Sequence, residues 1–288
     1  MKLIKAIIVS TRPNTWMRIW GEMIVAASLA SHPHFNPLRF LLVFLATSPL
    51  LWSAAYMLND LTDIKYDTKH PLRRLRPITS GILTKSMTTI LIILLIIGAF
   101  LIGYSINFTV LILLILLFIS QIFYTFPHLR FKEVFLLDLL LNILNSILRY
   151  LLGWSSQEAV HPLIISPILL FTLIKIAFFL GHRLQNRNLE KFYKFRTTVT
   201  VLSEKHIVFT IFTSVFLALL VNTFLIYKGV FPIRSLTGFI ALIPLFYYLQ
   251  KSRFGKIIEV EKDINFRNIL YFSFFIWSNI TAFTIITK

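Results

Sequence analysis

The chain has 288 residues, of which 57% are hydrophobic and only 14% are charged, and its mean hydropathy is +0.77. A soluble domain carries roughly 25% charged residues, so this composition excludes an ordinary soluble protein and predicts an all-α integral membrane protein. The net charge of +17 is explained by basic cytoplasmic loops without a nucleic-acid partner, and the absence of cysteine excludes disulfides and thiol catalysis.

Apolar segments long enough to cross a bilayer recur along the chain. Nine are predicted, near 16–31, 38–59, 84–104, 107–125, 134–153, 162–181, 206–227, 232–250 and 268–287. Residues 1–288 therefore form a single membrane domain in this interpretation. The first segment is the weakest, because Arg18 and Glu22 lie in it. These two are four residues apart, so we expect them to pair on one helix face near the membrane surface.

The basic residues predict the orientation of these segments. With the N-terminus on the cytoplasmic side, 23 Lys and Arg fall in cytoplasmic segments, 4 fall on the opposite side, and Arg149 and Lys175 lie within spans. This asymmetry predicts a cytoplasmic N-terminus and an outer C-terminus in a multi-pass protein of the cell (inner, cytoplasmic) membrane. Because the cytoplasmic loops are also the long and polar ones, we expect function on the cytoplasmic face.

The stretch "NDLTDIKYD" at residues 59–67 follows the second segment and concentrates carboxylates. Asp60, Asp63 and Asp67 are spaced i, i+3, i+7, which places them on one face of a helix, and Tyr56 and Asn59 extend that face backward. Neighbouring carboxylates repel one another, and Mg²⁺ shared with substrate phosphates would resolve that conflict. We therefore predict Asn59 and the three aspartates as Mg²⁺ ligands, with the aspartates as the catalytic residues.

The basic run that follows supplies a complementary charge. Its candidate phosphate-binding residues are Lys69, His70, Arg73, Arg74 and Arg76, and arginine suits bidentate contacts with phosphate oxygens. An alternative is that the run is a solvated loop whose charges merely pair with the aspartates.

At this point the sequence resembles a known family. "NDLTDIKYD" fits the NDxxDxxxD motif of the UbiA-type membrane prenyltransferases, which have nine spans and carry the motif at the end of the second. The extension "DTKHPLRRLRPITSG" resembles the D-R-x-H-P-x-K-R-x-R-P-I-A-S-G run of the decaprenyl-phosphate phosphoribosyltransferase branch. "TRPNTWMRIW", "YTFPHLRFKEVFLLD" and "LRYLLG" are similar to further segments of that branch.

The resemblance implies a UbiA-like helical bundle and a reaction. The branch transfers phosphoribose from phosphoribosyl diphosphate to a polyprenyl phosphate in the membrane, and Mg²⁺ is the implied cofactor. Tyr124, Arg130 and Lys132 would steer the headgroup of the lipid acceptor. Residues 181–205 lack the second aspartate motif of the aromatic prenyltransferases, and Gly181 and Arg183 match the branch's G-K-R-x-x-E loop, although His182 and Asn186 depart from it.

The fifth segment carries a polar stripe of its own. Asp138, Asn142, Asn145 and Arg149 recur at i, i+4, i+7 and i+11, on one helix face. The stripe either lines the substrate site, with Asp138 and Asn142 as candidate contacts, or forms a hydrogen-bonded seam between helices. Lys175 in the sixth segment is expected to snorkel or to pair with Asp138 or a lipid phosphate.

Two other functions remain open from the sequence. The first is a prenyltransferase that uses the same Mg²⁺ site to pass an isoprenyl group from its diphosphate to an aromatic or lipid acceptor. The second is a transporter or ion-binding membrane protein, which predicts polar residues continuing to the outer face.

Overall fold

The computed structural model describes residues 2–30, 34–69, 73–157, 165–243 and 260–287. Within these ranges the protein is a bundle of helices, with one isolated β-bridge between Val134 and Arg196. The predicted all-α fold class is confirmed.

Thirteen α-helices occur in the described part of the chain. They are α1 (Lys2–Thr11), α2 (Trp16–Ala30), α3 (Pro37–Leu45), α4 (Ser53–Thr62), α5 (Ile64–Asp67), α6 (Lys85–Ile106), α7 (Phe108–Thr125), α8 (Leu137–Ser155), α9 (Ile165–Gln185), α10 (Arg187–Phe192), α11 (Thr198–Val201), α12 (Glu204–Tyr227) and α13 (Val260–Ile286). A π-helical stretch, Ala46–Trp52, joins α3 to α4 and contains Pro49, which cannot donate a helical hydrogen bond. Short 3₁₀ segments lie at Pro13–Thr15, Arg73–Leu75, Phe131–Glu133 and Ile233–Leu242.

Five helical segments among the described residues are long and apolar enough to cross a membrane. They are Pro37–Thr62, Lys85–Ile106, Phe108–Thr125, Pro167–Leu184 and Glu204–Tyr227. They make this a multi-pass membrane protein. Polar residues cap the starts of some of these helices; the Asn107 side chain, for example, accepts a hydrogen bond from Val110 N at 2.7 Å.

The other four predicted spans have a different status. Those near 16–31, 134–153 and 268–287 coincide with α2, α8 and α13. None of these three helices is among the five that are both long enough and apolar enough to cross a membrane. The segment near 232–250 is 3₁₀-helical over Ile233–Leu242, and its end lies outside the described residues. The count of nine and the orientation of the termini therefore stay predictions.

Close helix packing places α2 in the interior of the bundle. A Cβ atom on Gly153 of α8 would lie 2.2 Å from the Met23 carbonyl oxygen, and one on Gly21 would lie 2.7 Å from the Phe274 ring of α13. The absence of side chains at these two glycines lets the three helices approach closely. As a result, the polar residues of α2 face other helices rather than the membrane surface.

This packing corrects the prediction for the first segment. Glu22 is 3% exposed and forms ion pairs with Arg149 of α8 and, at 3.7 Å, with Lys175 of α9. The predicted Arg18–Glu22 pair near the membrane surface is wrong, because the α2–α8 contact brings a buried guanidinium to the carboxylate. Lys175 likewise pairs with Glu22 and not with Asp138.

Candidate functional site

A cavity of about 350 Å³ extends from the aspartate segment into the interior of the bundle. Side chains of α2, α4, α7, α8, α9 and α13 line it, together with residues of the segments that follow α5, α7 and α9. Eight Lys or Arg and five Asp or Glu are among the described lining residues, so the wall carries an excess of positive charge.

The aspartate segment does not form one continuous helix. α4 ends at Thr62, Asp63 adopts φ −94° and ψ 2°, and α5 resumes at Ile64. The predicted single face shared by the three carboxylates is therefore interrupted. Asp60 and Asp67 turn toward one set of cations, and Asp63 turns toward another.

Arg76 joins the first pair of carboxylates. Its Nη1 donates to Asp60 Oδ1 at 2.9 Å and to Asp67 Oδ2 at 2.6 Å. Arg12, which precedes α2 with a left-handed backbone, also pairs with Asp60, and Arg73 lies 3.7 Å from Asp67. Burial, partly offset by Arg76 and Arg73, raises the pKa of the Asp67 carboxyl group.

Lys132 and Arg130 form ion pairs with the third carboxylate, that of Asp63. Lys132 Nζ donates to Asn59 Oδ1 at 2.8 Å and to Asp63 Oδ2 at 2.5 Å, and Arg130 Nη2 donates to Asp63 Oδ1 at 3.1 Å. The loop turns sharply here, since Arg130 has a φ of 39°. Burial, only partly offset by Asp63, lowers the pKa of the Lys132 ammonium. The Lys132 ammonium thus lies between Asn59 of α4 and Asp63, the residue that follows this helix.

The donor set fits a hard divalent cation that shares its coordination with a substrate. Among the described residues, no group of three or more His, Cys, Asp or Glu side chains forms a ready-made metal site. Mg²⁺, however, commonly takes one or two protein carboxylates and completes its shell with phosphate oxygens and water. Asn59 and Asp63 present such oxygens to the cavity, where the Lys132 ammonium already contacts both.

The polar stripe of α8 divides between the two predicted roles. Asn142 and Asn145 line the cavity, as expected for a substrate site. Asp138 is 0% exposed and accepts hydrogen bonds from Thr198, so it fixes the start of α11. Arg149, at the far end of the stripe, forms the interhelical ion pair with Glu22.

Arg183 connects the segment after α9 to the rest of the site. Its Nη1 lies 3.3 Å from Asp138 Oδ2, its Nε donates to Glu190 Oε1 at 2.9 Å, and its Nη2 donates to the Lys132 carbonyl at 2.6 Å. Arg183 is thus held by two carboxylates and also contacts the loop that carries Lys132. It couples α9 to the aspartate segment through that loop.

The structure brings most of the sequence-predicted site residues together. Those that line the cavity are Tyr56, Asn59, Asp63, Asp67, Arg73, Arg76, Tyr124, Arg130, Lys132, Asn142 and Arg183. Asp60 and Asp138 are buried beside it and pair with Arg76 and Arg183. Lys69 and Arg74 are exposed and are not among the lining residues, and His70 lies outside the described residues. The roles of all these residues stay predictions.

Sequence reasoning missed several contributors to the cavity wall. Tyr66 places its ring 4.8 Å from the Arg130 guanidinium and packs edge-on against Phe195. Glu190 accepts from Thr197 Oγ1 at 2.6 Å as well as from Arg183. The available signal was that Glu190 is an isolated acid in a segment without aspartate.

The inner end of the cavity is charged as well. Arg18, Glu22 and Lys175 line it, and Arg149 lies behind Glu22 with its guanidinium 4.5 Å from the Trp52 ring centre. Phenylalanine side chains of α9 and α13 complete this end.

Comparison with known proteins agrees with this geometry. The sequence profile of the UbiA prenyltransferase family matches residues 19–279. The chain belongs to the UbiA prenyltransferase family. It is therefore a membrane transferase of that family. Solved structures share the fold across nearly all of the chain.

Three of these structures illustrate the likeness. The UbiA homologue from Archaeoglobus fulgidus bound to GPP and Mg²⁺ aligns with a TM-score of 0.73 over 100% of both chains at 15% identity. The same homologue bound to DMAPP and Mg²⁺ gives 0.74, over 100% of this chain and 99% of that one, also at 15% identity. An apo UbiA homologue from Aeropyrum pernix K1 gives 0.72 at 14% identity, over 92% of this chain and 97% of that one.

Curated relatives match over shorter stretches. The decaprenyl-phosphate phosphoribosyltransferase of Mycobacterium tuberculosis (strain ATCC 25618 / H37Rv) is 28% identical over 86 residues, 28% of each chain. The enzyme of that name from Corynebacterium glutamicum is 33% identical over 89 residues, which is 30% of this chain and 26% of the relative. The matched stretch thus spans about a quarter of the length of these relatives.

Proposed function

We propose that this UbiA-family protein transfers phosphoribose from phosphoribosyl diphosphate to a polyprenyl phosphate, with Mg²⁺, at the cytoplasmic face of the cell membrane. The observation that carries this proposal is the pairing of every carboxylate of the aspartate segment with an arginine or lysine from another segment. Mg²⁺ could take the place of the basic side chains beside the carboxylates, and a diphosphate could take the place of the carboxylates beside the basic side chains. An Mg²⁺–diphosphate group therefore matches both halves of these ion pairs.

Asn59 and Asp63 would hold the metal, with Asp60 and Asp67 completing the acidic end of the site. When bound, Mg²⁺ neutralises the charge that accumulates on a departing diphosphate. Arg76 and Arg73, which pair with Asp67 in the substrate-free protein, would bind the diphosphate oxygens. Their fixed positions stabilise the leaving group where its negative charge develops.

The transfer itself needs little proton chemistry. The bond between the ribose carbon and the diphosphate oxygen breaks, and a bond to an oxygen of the lipid phosphate forms. Because that phosphate is already anionic, no strong base is required. Tyr124, Arg130 and Lys132 would bind the lipid phosphate beside the donor. The exposed apolar face of α7, which also lines the cavity, would let the polyprenyl chain contact the bilayer.

Three observations support phosphoribosyl over prenyl transfer. Both curated relatives described above are named decaprenyl-phosphate phosphoribosyltransferase. Residues 181–205 contain no aspartate, so they lack the second acidic motif of the aromatic prenyltransferases. The inner end of the cavity carries Arg18, Glu22 and Lys175, which suit a polar substrate better than an isoprenyl tail.

The proposal is tested by a panel of donors and acceptors with the purified protein. We expect diphosphate release from phosphoribosyl diphosphate that requires both Mg²⁺ and a polyprenyl phosphate. Release that does not depend on the lipid phosphate would contradict the assignment of the acceptor. Turnover with isoprenyl diphosphates alone would contradict the assignment of the donor.

Prenyl transfer is a second candidate, and one feature of the cavity favours it. Phe171, Phe178 and Phe274 line the inner end beside the charged residues. The A. fulgidus homologue that shares the fold is bound to GPP in one structure and to DMAPP in another. In this case the aromatic rings would contact the isoprenyl chain, and the same donor panel would yield a prenylated acceptor.

A further inference from the structure

The inner end of the cavity holds more positive than negative charge. Arg18 and Arg149 are guanidinium groups, which stay protonated in proteins, and Glu22, which pairs with Arg149, is the carboxylate that lines this end among the described residues. Lys175 lies 3.7 Å from the same carboxylate and is 7% exposed. The cluster therefore has an excess of positive charge whatever the protonation state of the lysine, and such an excess is costly to bury without an anion.

The cations of this cluster are not fully satisfied by the protein. Arg149 Nη1 and Nη2 and Arg18 Nε are buried and have no hydrogen-bond partner among the described residues. Arg149 is 0% exposed and stacks on Trp52, which lines the cavity. Buried donors normally have partners, so these groups indicate that something else completes the cluster.

The cluster lies deeper along α8 and α9 than Asp138 and Arg183, which contact the segments beside the aspartate segment. Arg149 follows Asp138 by eleven residues on α8, which is about 16 Å along the helix axis. Lys175 precedes Arg183 by eight residues on α9, or about 12 Å. A group bound between Arg18 and Lys175 would therefore lie inward of Arg183, whereas the diphosphate would lie against the aspartate segment.

We propose that the inner end of the cavity is a second anion subsite, formed by Arg18 and Lys175, which takes a phosphate monoester. Arg149 is a positioning residue, because it pairs with Glu22 from behind the cavity wall while its own positive charge adds to the electrostatic field of the subsite. This inference rests on the proposed function for the source of the phosphate. The 5-phosphate of the donor is the favoured source, and the phosphate of the lipid acceptor is the other.

Binding measurements with the purified full-length protein test the subsite without any turnover. Ribose 5-phosphate probes the inner end, inorganic diphosphate with Mg²⁺ probes the aspartate segment, and farnesyl phosphate probes the acceptor. We expect Lys175→Met to weaken ribose 5-phosphate binding by about tenfold or more and to leave diphosphate binding within about twofold. Lys85→Met, at an exposed lysine that starts α6, is the matched control and should change neither.

A second variant separates a charge effect from a packing effect. Glu22→Gln removes the carboxylate that competes for the cations, so ribose 5-phosphate binding should tighten. Loss of binding in both Lys175→Met and Glu22→Gln would indicate a structural role and overturn the subsite. Weaker farnesyl phosphate binding in Lys175→Met, with ribose 5-phosphate unchanged, would support the subsite and assign it to the acceptor.

The failures of the two proposals are distinguishable. If Lys175→Met weakens ribose 5-phosphate binding while the wild-type protein shows no transfer, the subsite stands and the proposed function fails. If transfer proceeds and Lys175→Met leaves the KM of both substrates unchanged, the proposed function stands and the subsite is overturned.

Discussion

At the scale of single residues, opposite charges in this site are paired in ways that suggest exchange for substrate. Lys132 contacts both Asn59 and Asp63, two of the oxygen donors that line the cavity. Arg76 contacts both Asp60 and Asp67. Each cation thus bridges two groups that we propose as metal ligands, so a bound metal would compete with it for these oxygens.

The first prediction concerns Asp63. Asp63→Asn keeps the shape of the side chain but removes the charge that would hold the metal at the cavity wall. We expect transfer to fall by about 10²–10³-fold, the range seen when a fixed electrostatic contact to a transition state is removed. The measurement is Mg²⁺-dependent diphosphate release, with the melting temperature recorded alongside.

Glu204→Gln is the matched control for this change, because it also replaces a carboxylate by an amide. Glu204 is exposed and is not among the described lining residues, so this substitution should leave the rate within about twofold, as surface changes usually do. Wild-type activity in Asp63→Asn would remove this residue from the proposed metal site.

The second prediction concerns Lys132. Its ammonium contacts the same oxygens that we assign to Mg²⁺, so the two cations compete for them. Lys132→Met should therefore tighten metal binding to the substrate-free protein by about tenfold, a change of about 1.4 kcal/mol. Titration with Mn²⁺ as a spectroscopic probe measures this, and weaker metal binding in the variant would contradict the assignment.

At the scale of secondary-structure elements, the contact between α2 and α8 determines what the inner end of the cavity contains. Gly153 lets the backbone of α8 approach Met23, and the adjacent Glu22 then reaches Arg149, one turn earlier on α8. Without this close approach, the carboxylate would lose its buried partner. Breaking such a pair on one side costs about 3–5 kcal/mol in other proteins.

The third prediction uses this contact. In Gly153→Ala the added methyl would meet backbone atoms of Met23 at 2.2–2.8 Å, so the helices must separate. We expect a loss of about 1–3 kcal/mol in the free energy of unfolding, as overpacking typically causes, and a lower melting temperature.

Gly98→Ala is the matched control, because its Cβ would have Leu50 Cδ1 at 3.5 Å, an ordinary contact, in the apolar helix α6. The better helix propensity of alanine should leave its stability unchanged or slightly raised. Equal stability of Gly153→Ala and Gly98→Ala would show that α2 and α8 do not depend on the glycine.

At the scale of the whole molecule, the orientation in the membrane can be tested directly, because the natural sequence contains no cysteine. The fourth prediction is that Lys65→Cys reacts with a membrane-impermeant maleimide only from the cytoplasmic side. Lys228→Cys should react only from the outer side, because the two loops are separated by an odd number of predicted spans. Both lysines are exposed, so accessibility within the protein does not limit the reaction. Labelling of both from one side would contradict the predicted orientation.

The sequence determined the helical membrane fold and the location of the acidic end of the site. Hydropathy alone identified the five apolar spans, because length and composition decide whether a helix can cross a bilayer. The spacing of Asp60, Asp63 and Asp67 identified a carboxylate cluster. The prediction that the three share one continuous helical face was wrong, because the backbone leaves the helical conformation at Asp63. Charge at fixed spacing is a local property, and local properties can be read from a sequence.

Only the tertiary structure decided which opposite charges meet. Glu22 is far in sequence from Arg149 and Lys175, and its pairing follows from the close packing of α2 against α8 at Gly153. The role of Glu190 in the cavity wall could not be predicted for the same reason, because its ion pair with Arg183 depends on how the segment after α9 folds back. Ion pairs within a membrane protein depend on helix contacts between distant segments, and a single sequence holds no direct signal of those contacts.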